Sequence, residues 1–510
     1  MSRFNRTVTQ PKPLFGTIQS EQVSTATTAL GGTGYIRDSR SELLLLGATN
    51  MVAQDTYHET GIERDARYAH LIQYVAQEEG GIEWLGHFFL WLRTEANIRT
   101  ASYVGAAHLV AARRGMPDDG GLVRRAVANS LGRADEPGEL IAFWKSMYGG
   151  QLPRPLKRGI AMAVIRLYTE RSTLAWDTSS KAFRFARVLD LTHPTRKDIE
   201  QHFLDVAADG SSRPIRVNYR IDQTSSLFGY LGHRMRDEDV EIPANLTMLR
   251  ARAEAMAIPQ ENRAQTLRDL RSDFIARTGM NWQAASSWYG QALDATFWES
   301  VIPTMSVQQL LMNLRNFEQA GVGPASVDLV CALLEDEAKI RSSRVLPMQV
   351  LSAYRAVGAT SDNYGKALNR ALEASLANVP ALDGDTLILV DTSSSMNETL
   401  SERGTLRRWD AAVVFAVALA RRAKAATVVS FSSARQYYGQ ARGSKTAVFP
   451  FTPGESLLKQ VERWNQSGFN LGGGTDTALA LRAVWDSRFT RVVIITDEQT
   501  ARTILAMEEQ

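Results

Sequence analysis

The sequence predicts a mainly α protein, in which an α-solenoid of stacked helical pairs is followed by a doubly wound α/β domain. Three observations predict this fold class. Residues up to about 375 contain segments with apolar residues near helical spacing and few strand-like runs. Prolines fall between these segments, because proline lacks the N–H group that a helix interior needs. After residue 385, short apolar runs alternate with helical segments, which is typical of βαβ units.

The helical part has no literal sequence repeat, so any repeat is expected to be structural. Its first predicted helices cover residues 41–54, 62–78, 83–94, 102–113 and 121–129. Many short amphipathic helices with brief connections favour a solenoid, because each helix can bury its apolar face against its neighbours.

The second part is predicted to contain a parallel sheet. Buried strands are predicted at 387–390, 426–431 and 492–495, and helices at 409–424, 455–464 and 477–486. The predicted limits are 1–20 for a flexible N-terminal segment, 21–378 for the helical domain and 385–510 for the α/β domain.

Composition excludes several classes of protein. With 44% hydrophobic and 22% charged residues, the chain is globular rather than disordered. No run approaches 18 apolar residues, and the first 19 residues lack the apolar core of a secretory signal, so no membrane association is expected. The single cysteine, Cys331, excludes a disulfide scaffold and suits a reducing, cytoplasmic location. The seven histidines form no H-E-x-x-H pair, which argues against zinc catalysis.

Positive charge is concentrated in one stretch. Residues 151–220 hold 13 Lys and Arg against 7 Asp and Glu, or +6, whereas the whole chain has a net charge of +3. The remainder therefore sums to 3 − 6 = −3. Such a stretch indicates either a positive surface for an anionic partner or a set of solvated helix faces, and charge alone does not decide between them.

Polar side chains follow the predicted strands at one edge of the sheet. Asp391, Ser393 and Ser395 follow the strand 387–390 in a D-x-S-x-S pattern, Thr475 lies in a glycine-rich turn, and Asp497 follows the strand 492–495. The carboxyl ends of parallel strands meet at one edge. An all-oxygen set of this kind suits Mg²⁺. The alternative is an ordinary turn, in which Asp and Ser bind nearby backbone amides.

The combination of both parts resembles the Ro ribonucleoprotein autoantigen family, as a bacterial or phage orthologue. The likeness is carried by short stretches that lie in order along the chain, namely residues 31–35, 152–159, 191–194, 307–317, 344–351, 473–476 and 496–500. The resemblance implies a ring of HEAT-like repeats, called the TROVE module, closed by a von Willebrand factor A domain. A typical A domain continues further after the second aspartate, so either this domain is short at its C-terminus or the sequence is not the whole natural chain.

The resemblance implies a noncatalytic, monomeric RNA-binding protein. Family members bind small noncoding Y RNAs on a basic outer surface and single-stranded 3′ ends of defective RNAs in a central hole. Bacterial relatives assist RNA processing or decay with a 3′-to-5′ exoribonuclease such as polynucleotide phosphorylase. It also implies that Asp391, Ser393, Ser395, Thr475 and Asp497 coordinate the metal ion.

The basic stretch supplies the candidate RNA-binding residues. One predicted helix carries Lys157, Arg158 and Arg166, with Arg171 at its end, and the next is expected to carry Lys181, Arg184 and Arg187. The remaining candidates are His193, Arg196 and Lys197. His193 corresponds to a histidine in the RNA-contacting region of the family, although by itself it reads as a residue that satisfies a helix end.

Two other functions remain open from the sequence. A metal-dependent protein–protein adhesion module would use the Asp391 site and keep the helices as a scaffold. A metal-dependent nuclease or phosphatase would need more carboxylates at that sheet edge than Asp391, Asp476 and Asp497 offer.

Overall fold

The computed structural model of the chain describes residues 25–27, 33–35, 37–49, 60–117, 119–209, 216–236, 239–357, 363–400, 406–433 and 443–497. The predicted flexible segment 1–20 lies outside these residues. The chain forms two compact units. The first comprises the residues up to Ile258 together with Arg277–Met280, and the second comprises Pro259–Ala276 and the residues from Asn281 onward.

The first unit contains a short hairpin and twelve helices within the described residues. The hairpin pairs β1 (Thr25–Thr27) with β2 (Thr33–Tyr35). The helices are α1 (Ser39–Thr49), α2 (Gly61–Val75), α3 (Gly81–Thr94), α4 (Thr100–Ala112), α5 (Leu122–Ser130), α6 (Glu136–Met147), α7 (Arg154–Leu167), α8 (Glu170–Trp176), α9 (Phe185–Thr192), α10 (Arg196–Ala208), α11 (Val217–Arg234) and α12 (Thr247–Met256).

The second unit begins with more helices and continues into a sheet. The helices before the sheet are α13 (Gln260–Thr278, interrupted at Arg271), α14 (Trp282–Tyr289), α15 (Ala295–Val301), α16 (Val307–Ala320), α17 (Pro324–Glu335), α18 (Glu337–Ser343), α19 (Pro347–Val357) and α20 (Gly365–Ser375). The α/β part consists of β3 (Leu382–Asp391), α21 (Arg408–Arg422), β4 (Ala423–Ser433), β5 (Ser444–Phe449), α22 (Leu457–Gln466), α23 (Thr477–Val484) and β6 (Arg491–Ile495).

Successive helices of the first unit stack as the amphipathic pattern predicts. Helices α3, α5 and α7 pack side by side over a core that includes Phe88, Phe89 and Trp144. Helices α5 and α7 approach closely at Gly159, where an added Cβ would lie 2.5 Å from the Cβ of Val127. This close approach depends on a residue without a side chain, because native interiors leave no room for the extra atom.

Capping residues set where several helices begin. Thr60, Thr195 and Ser306 each accept a hydrogen bond from the backbone three residues later, and the residue at that position bonds back to the cap. These reciprocal bonds satisfy N–H groups that would otherwise lack a partner at the helix start. The helical boundaries differ from the predicted ones by a few residues, and part of the predicted 41–54 helix lies outside the described residues.

The sheet has the order β5-β4-β3-β6. Strand β3 pairs in parallel with both β4 and β6, as predicted for βαβ units. Strand β5 pairs antiparallel with β4 and was not predicted, so the sheet is mixed rather than wholly parallel. The residues of β5 are half exposed, and the missing apolar run explains why the sequence does not reveal it.

Within the second unit, the last helices of the helical part pack against the α/β part. Arg355 of α19 forms a 2.7 Å ion pair with the buried carboxylate of Asp410 on α21. Burial opposes ionisation of Asp410, but hydrogen bonds from Arg355 and from the Arg407 N–H outweigh it and lower its pKa. The predicted boundary at 378–385 begins after α20 and overlaps the first residues of β3, inside this unit. The predicted domain limits stay a prediction.

Among the described residues, no helix is both long and apolar enough to cross a bilayer.

Candidate functional site

The D-x-S-x-S stretch forms a loop at the carboxyl edge of β3. Asp391 ends the strand and is fully buried. Its Oδ1 accepts a 2.8 Å hydrogen bond from the Ser393 N–H, and the Oγ atoms of Ser393 and Ser395 lie 3.2 Å apart. The first three predicted metal ligands are therefore adjacent, because the chain turns directly at the strand end.

The glycine-rich turn brings Thr475 to the same carboxylate. The Thr475 hydroxyl donates to Oδ2 of Asp391 at 3.2 Å. The turn is fixed by backbone hydrogen bonds, since the Ser394 N–H donates to the Gly473 carbonyl at 2.8 Å and the Ser433 N–H donates to the Gly474 carbonyl at 2.7 Å. Gly473 has φ +104°, and a Cβ there would lie 2.6 Å from the Ser433 carbonyl oxygen, so this turn requires glycine.

The third loop contributes a hydroxyl that the sequence reasoning missed. The Thr496 hydroxyl donates to Oδ2 of Asp391 at 2.7 Å, next to the predicted Asp497. A second missed residue is Arg408 at the start of α21, whose guanidinium group lies 3.0 Å from Oδ2 of Asp497. The sequence could have indicated Thr496, because it is adjacent to the predicted ligand Asp497. It could not have indicated Arg408, which is 89 positions from Asp497.

The assembled atoms form an oxygen-rich site. Within the described residues, all hydrogen-bond donors to the buried Asp391 carboxylate are neutral groups. A buried charge of this kind is normally balanced by a cation, which the hydroxyl oxygens around it would also suit. Asp476 does not join the set, because its carboxylate caps α23 by accepting from the Leu479 N–H at 3.1 Å.

No cluster of three or more His, Cys, Asp or Glu able to hold a metal ion occurs in the part of the chain that the structure describes. A metal at the sheet edge would therefore depend on hydroxyl ligands as much as on carboxylates.

Two of the three predicted RNA-binding residues on α7, Arg158 and Arg166, are held by neighbours. Lys157, Arg158 and Arg166 all lie on this helix, as predicted. The Arg158 guanidinium forms a 2.6 Å ion pair with Asp198, and that of Arg166 donates to the carbonyls of Ala128 and Leu131. Burial opposes ionisation of Asp198, but hydrogen bonds from the Thr195 N–H and hydroxyl and from Arg158 outweigh it and lower its pKa.

The expected placement of the next basic residues is wrong in part. Arg171 lies on the separate helix α8, because Tyr168 and Thr169 are extended and end α7. Lys181 and Arg184 precede α9, and only Arg187 lies on it. Lys181, Arg184 and Arg187 nevertheless line one cavity of about 410 Å³. The loop before α9 therefore brings the three side chains together, as the predicted helix was expected to do.

Each of these three cations has an acidic partner. Lys181 lies 2.5 Å from Glu139, Arg184 lies 3.0 Å from Asp177, and Arg187 lies 2.6 Å from Asp190. The hydrogen bond to Glu139 raises the pKa of Lys181. An anionic ligand at this cavity would compete with these carboxylates.

The last three candidates lie around the start of α10. His193 caps α9 in the left-handed conformation, with φ +50°, and its N–H donates to the Leu189 carbonyl at 2.8 Å. The backbone of His193 thus satisfies a carbonyl at the end of α9, while its side chain is exposed. Lys197 is also exposed, whereas Arg196 pairs with Glu200 and Asp222.

A second cavity is lined by five arginines, of which only Arg158 belongs to the predicted set. Its volume is about 750 Å³, and Arg113, Arg114, Arg124, Arg154 and Arg158 contribute to its wall. The adjacent pairs Arg113-Arg114 and Arg124-Arg125 were a usable sequence signal, which the count over residues 151–220 left out. A third cavity of about 470 Å³ shares Arg124 and Arg158 with it.

The described residues form helices with basic cavities, followed by an α/β sheet with an oxygen-rich edge. The class of protein is therefore a helical-repeat protein with an α/β domain after the repeats. Comparison with known families and structures gives two matches. The family model described as the TROVE domain matches residues 282–403, from α14 through the D-x-S-x-S loop. The crystal structure of the Ro (RSR) protein of Deinococcus radiodurans superposes with a TM-score of 0.58 at 16% identity, over 86% of this chain and 81% of that chain. No curated protein matches the sequence.

These two findings confirm the resemblance that the sequence motifs indicate: the chain contains a TROVE domain match and has the fold of a Ro protein. The predicted fold class, helical repeats followed by an α/β domain, is likewise confirmed.

Proposed function

We propose that this protein is a noncatalytic RNA-binding protein of the Ro type, with RNA held on the basic side of the first unit. The observation that carries the proposal is the set of three arginine-rich cavities along α4 to α11. Guanidinium groups suit phosphate oxygens in charge and geometry, and phosphate contacts supply most of the affinity for nucleic acid. The TROVE match and the Ro fold support the same assignment.

The finer assignment follows the family resemblance. The RNA is a small noncoding Y-type RNA on the basic surface, and single-stranded 3′ ends of structured or misfolded RNA enter a central hole. The protein then assists RNA processing or decay by a 3′-to-5′ exoribonuclease in the cytoplasm. Sequencing the RNA that copurifies with the protein tests this assignment, and recovery of no small structured RNA would contradict it.

A charge-removal experiment tests RNA binding itself. Lys157, Arg171 and Lys197 have no ion-pair partner among the described residues, so their charges are available to phosphates. Replacing all three with Gln is expected to reduce the slope of log affinity against log salt by about 2 to 3, at roughly 0.7 per lost contact to a single strand and 0.9 to a duplex.

The matched control replaces Lys339, Arg341 and Arg370 of the second unit with Gln and is expected to leave the slope unchanged. Filter binding with a small structured RNA at 50 to 300 mM salt gives the measurement. Absence of RNA binding at low salt, or affinity that does not depend on salt, would overturn the proposal.

The buried Asp391 carboxylate favours a second candidate function. A divalent cation, Mg²⁺ by the chemistry of the donors, would be held by Asp391, Ser393, Ser395, Thr475 and Asp497, some of them through water. With an open position, the ion would bind an acidic residue of a partner, as in a metal-dependent adhesion module. The cation supplies Lewis acidity for that contact, and the protein supplies the loop geometry.

Magnesium-dependent thermal stability tests the metal. Mg²⁺ is expected to raise the melting temperature of the parent protein and not that of Asp391→Asn, since an amide cannot replace the charge. RNA binding by Asp391→Asn is expected to be unchanged, because the two sites lie in different units. Equal stabilisation of both proteins by Mg²⁺ would exclude a metal at this edge.

A further inference from the structure

The cavity of about 750 Å³ in the first unit has five arginines and one acidic residue among its lining residues, and so carries an excess of positive charge. We call it the arginine pocket, lined by Arg113, Arg114, Arg124, Arg154 and Arg158. Arg158 is paired with Asp198. The other four form no ion pair with a carboxylate of the described residues.

One buried donor of the arginine pocket has no acceptor among the described residues. Nε of Arg113 is buried and has no hydrogen-bond partner among the described residues, and a terminal nitrogen of the same side chain reaches the Pro117 carbonyl only at 3.5 Å. Asp119 lines the cavity too, but its Oδ1 accepts the Gly121 N–H at 2.8 Å. A buried donor without an acceptor costs stability, which indicates that an acceptor from outside completes the site.

Two helices begin at the arginine pocket. Arg154 is the first residue of α7, and Arg124 is the third residue of α5. The N-terminal ends of helices carry partial positive charge and favour anions. The helix ends therefore add to the field of the guanidinium groups in the same direction.

We propose that the arginine pocket binds the clustered phosphates of a 5′-phosphorylated RNA end, an inference that rests on the proposed RNA-binding function. A phosphodiester carries one negative charge, which matches one guanidinium group. Four guanidinium groups without a partner around one cavity match a group of several charges, and a 5′-triphosphate is such a group. Arginine forks bind phosphate oxygens two at a time, so the cavity can hold such a chain specifically.

The neighbouring cavity gives the following nucleotides a path. Arg124 and Arg158 line both cavities, and the cavity of about 470 Å³ continues from them to Arg166 and His202. Burial lowers the pKa of His202, and the nearby charge of Arg166 lowers it further. A neutral imidazole can stack on or hydrogen-bond an unpaired base, so the strand leaves the arginine pocket along this side.

The test compares one single-stranded oligoribonucleotide with a 5′-triphosphate and with a 5′-hydroxyl. The parent protein is expected to bind the triphosphorylated form roughly tenfold more tightly than the hydroxyl form, because the phosphates add about two charge-assisted hydrogen bonds. Arg114→Gln/Arg154→Gln is expected to reduce this preference to about twofold or less, and both side chains are exposed, so the fold is retained. Arg220→Gln/Arg250→Gln, two exposed arginines of the same unit, is the control and is expected to keep the full preference.

Inorganic tripolyphosphate and ATP identify the source of the phosphates. Both are expected to compete with the triphosphorylated RNA and to leave binding of the hydroxyl form unchanged. Equal affinity of the parent for the two RNA forms would overturn the inference while leaving the proposed function intact. ATP binding as tight as that of the RNA would also overturn it, because the site would then be for free nucleotides. Failure of both RNA forms to bind would overturn the proposed function itself.

Discussion

Removing the acidic partners of Lys181 and Arg187, which line one cavity with Arg184, is expected to strengthen RNA binding. Glu139 and Asp190 neutralise Lys181 and Arg187 at 2.5 and 2.6 Å. An RNA phosphate must displace these carboxylates before it can use the cations. The double variant Glu139→Gln/Asp190→Asn removes that competition and leaves the cations in place.

The magnitude follows from the exposure of the two pairs. Their side chains are between 34% and 53% exposed, so solvent screens the pairs strongly. Exposed pairs of this kind contribute about 0.2–1 kcal/mol each. Removing both is expected to make RNA binding more favourable by about 1 kcal/mol, or roughly fivefold in affinity. The gain is expected to shrink at high salt, because salt screens exposed charges.

Fluorescence anisotropy with a labelled small structured RNA at 50 and 200 mM salt measures this change. Glu337→Gln, which removes the partner of Arg341 on α18 in the second unit, is the control and is expected to leave the affinity unchanged. Unchanged or weakened binding by the double variant would refute the reasoning, as would an equal gain in the control. In either case the cavity would not be a phosphate contact surface.

Two further predictions concern stability. His108 is buried, which lowers its pKa to about 4, so the unfolded chain takes up a proton between pH 6.5 and 4 that the folded protein does not. The free energy of unfolding is therefore expected to fall by about 3 kcal/mol as pH decreases through that window. Denaturant unfolding at pH 7 and 4.5 measures this fall, which is expected to be smaller in His108→Gln than in the parent protein. Gly473→Ala is expected to lower the unfolding midpoint of the second unit more than Gly468→Ala, since both have positive φ but only Gly473 meets a backbone oxygen, and equal shifts would contradict this.

Much of the candidate metal site could be predicted from sequence because its parts are local. A strand that ends in Asp391 and turns at once brings Ser393 and Ser395 together, and parallel pairing of β3 with β6 brings Asp497 to the same edge. Arg408 could not be predicted in this way, since its position beside Asp497 depends on how α21 packs on the sheet.

The sequence by itself determined the order of helices and strands, since hydrophobic spacing and proline positions are properties of neighbouring residues. It also located an excess of positive charge within residues 151–220. Only the tertiary structure decided which of those charges are available. Arg158, Lys181 and Arg196 pair with carboxylates 40, 42 and 26 positions away in sequence. Outside that stretch or at its start, Arg113, Arg114, Arg124 and Arg154 form no ion pair with the described carboxylates. Pairing of charges depends on distances in space, which the stacking of helices sets and the linear pattern does not contain.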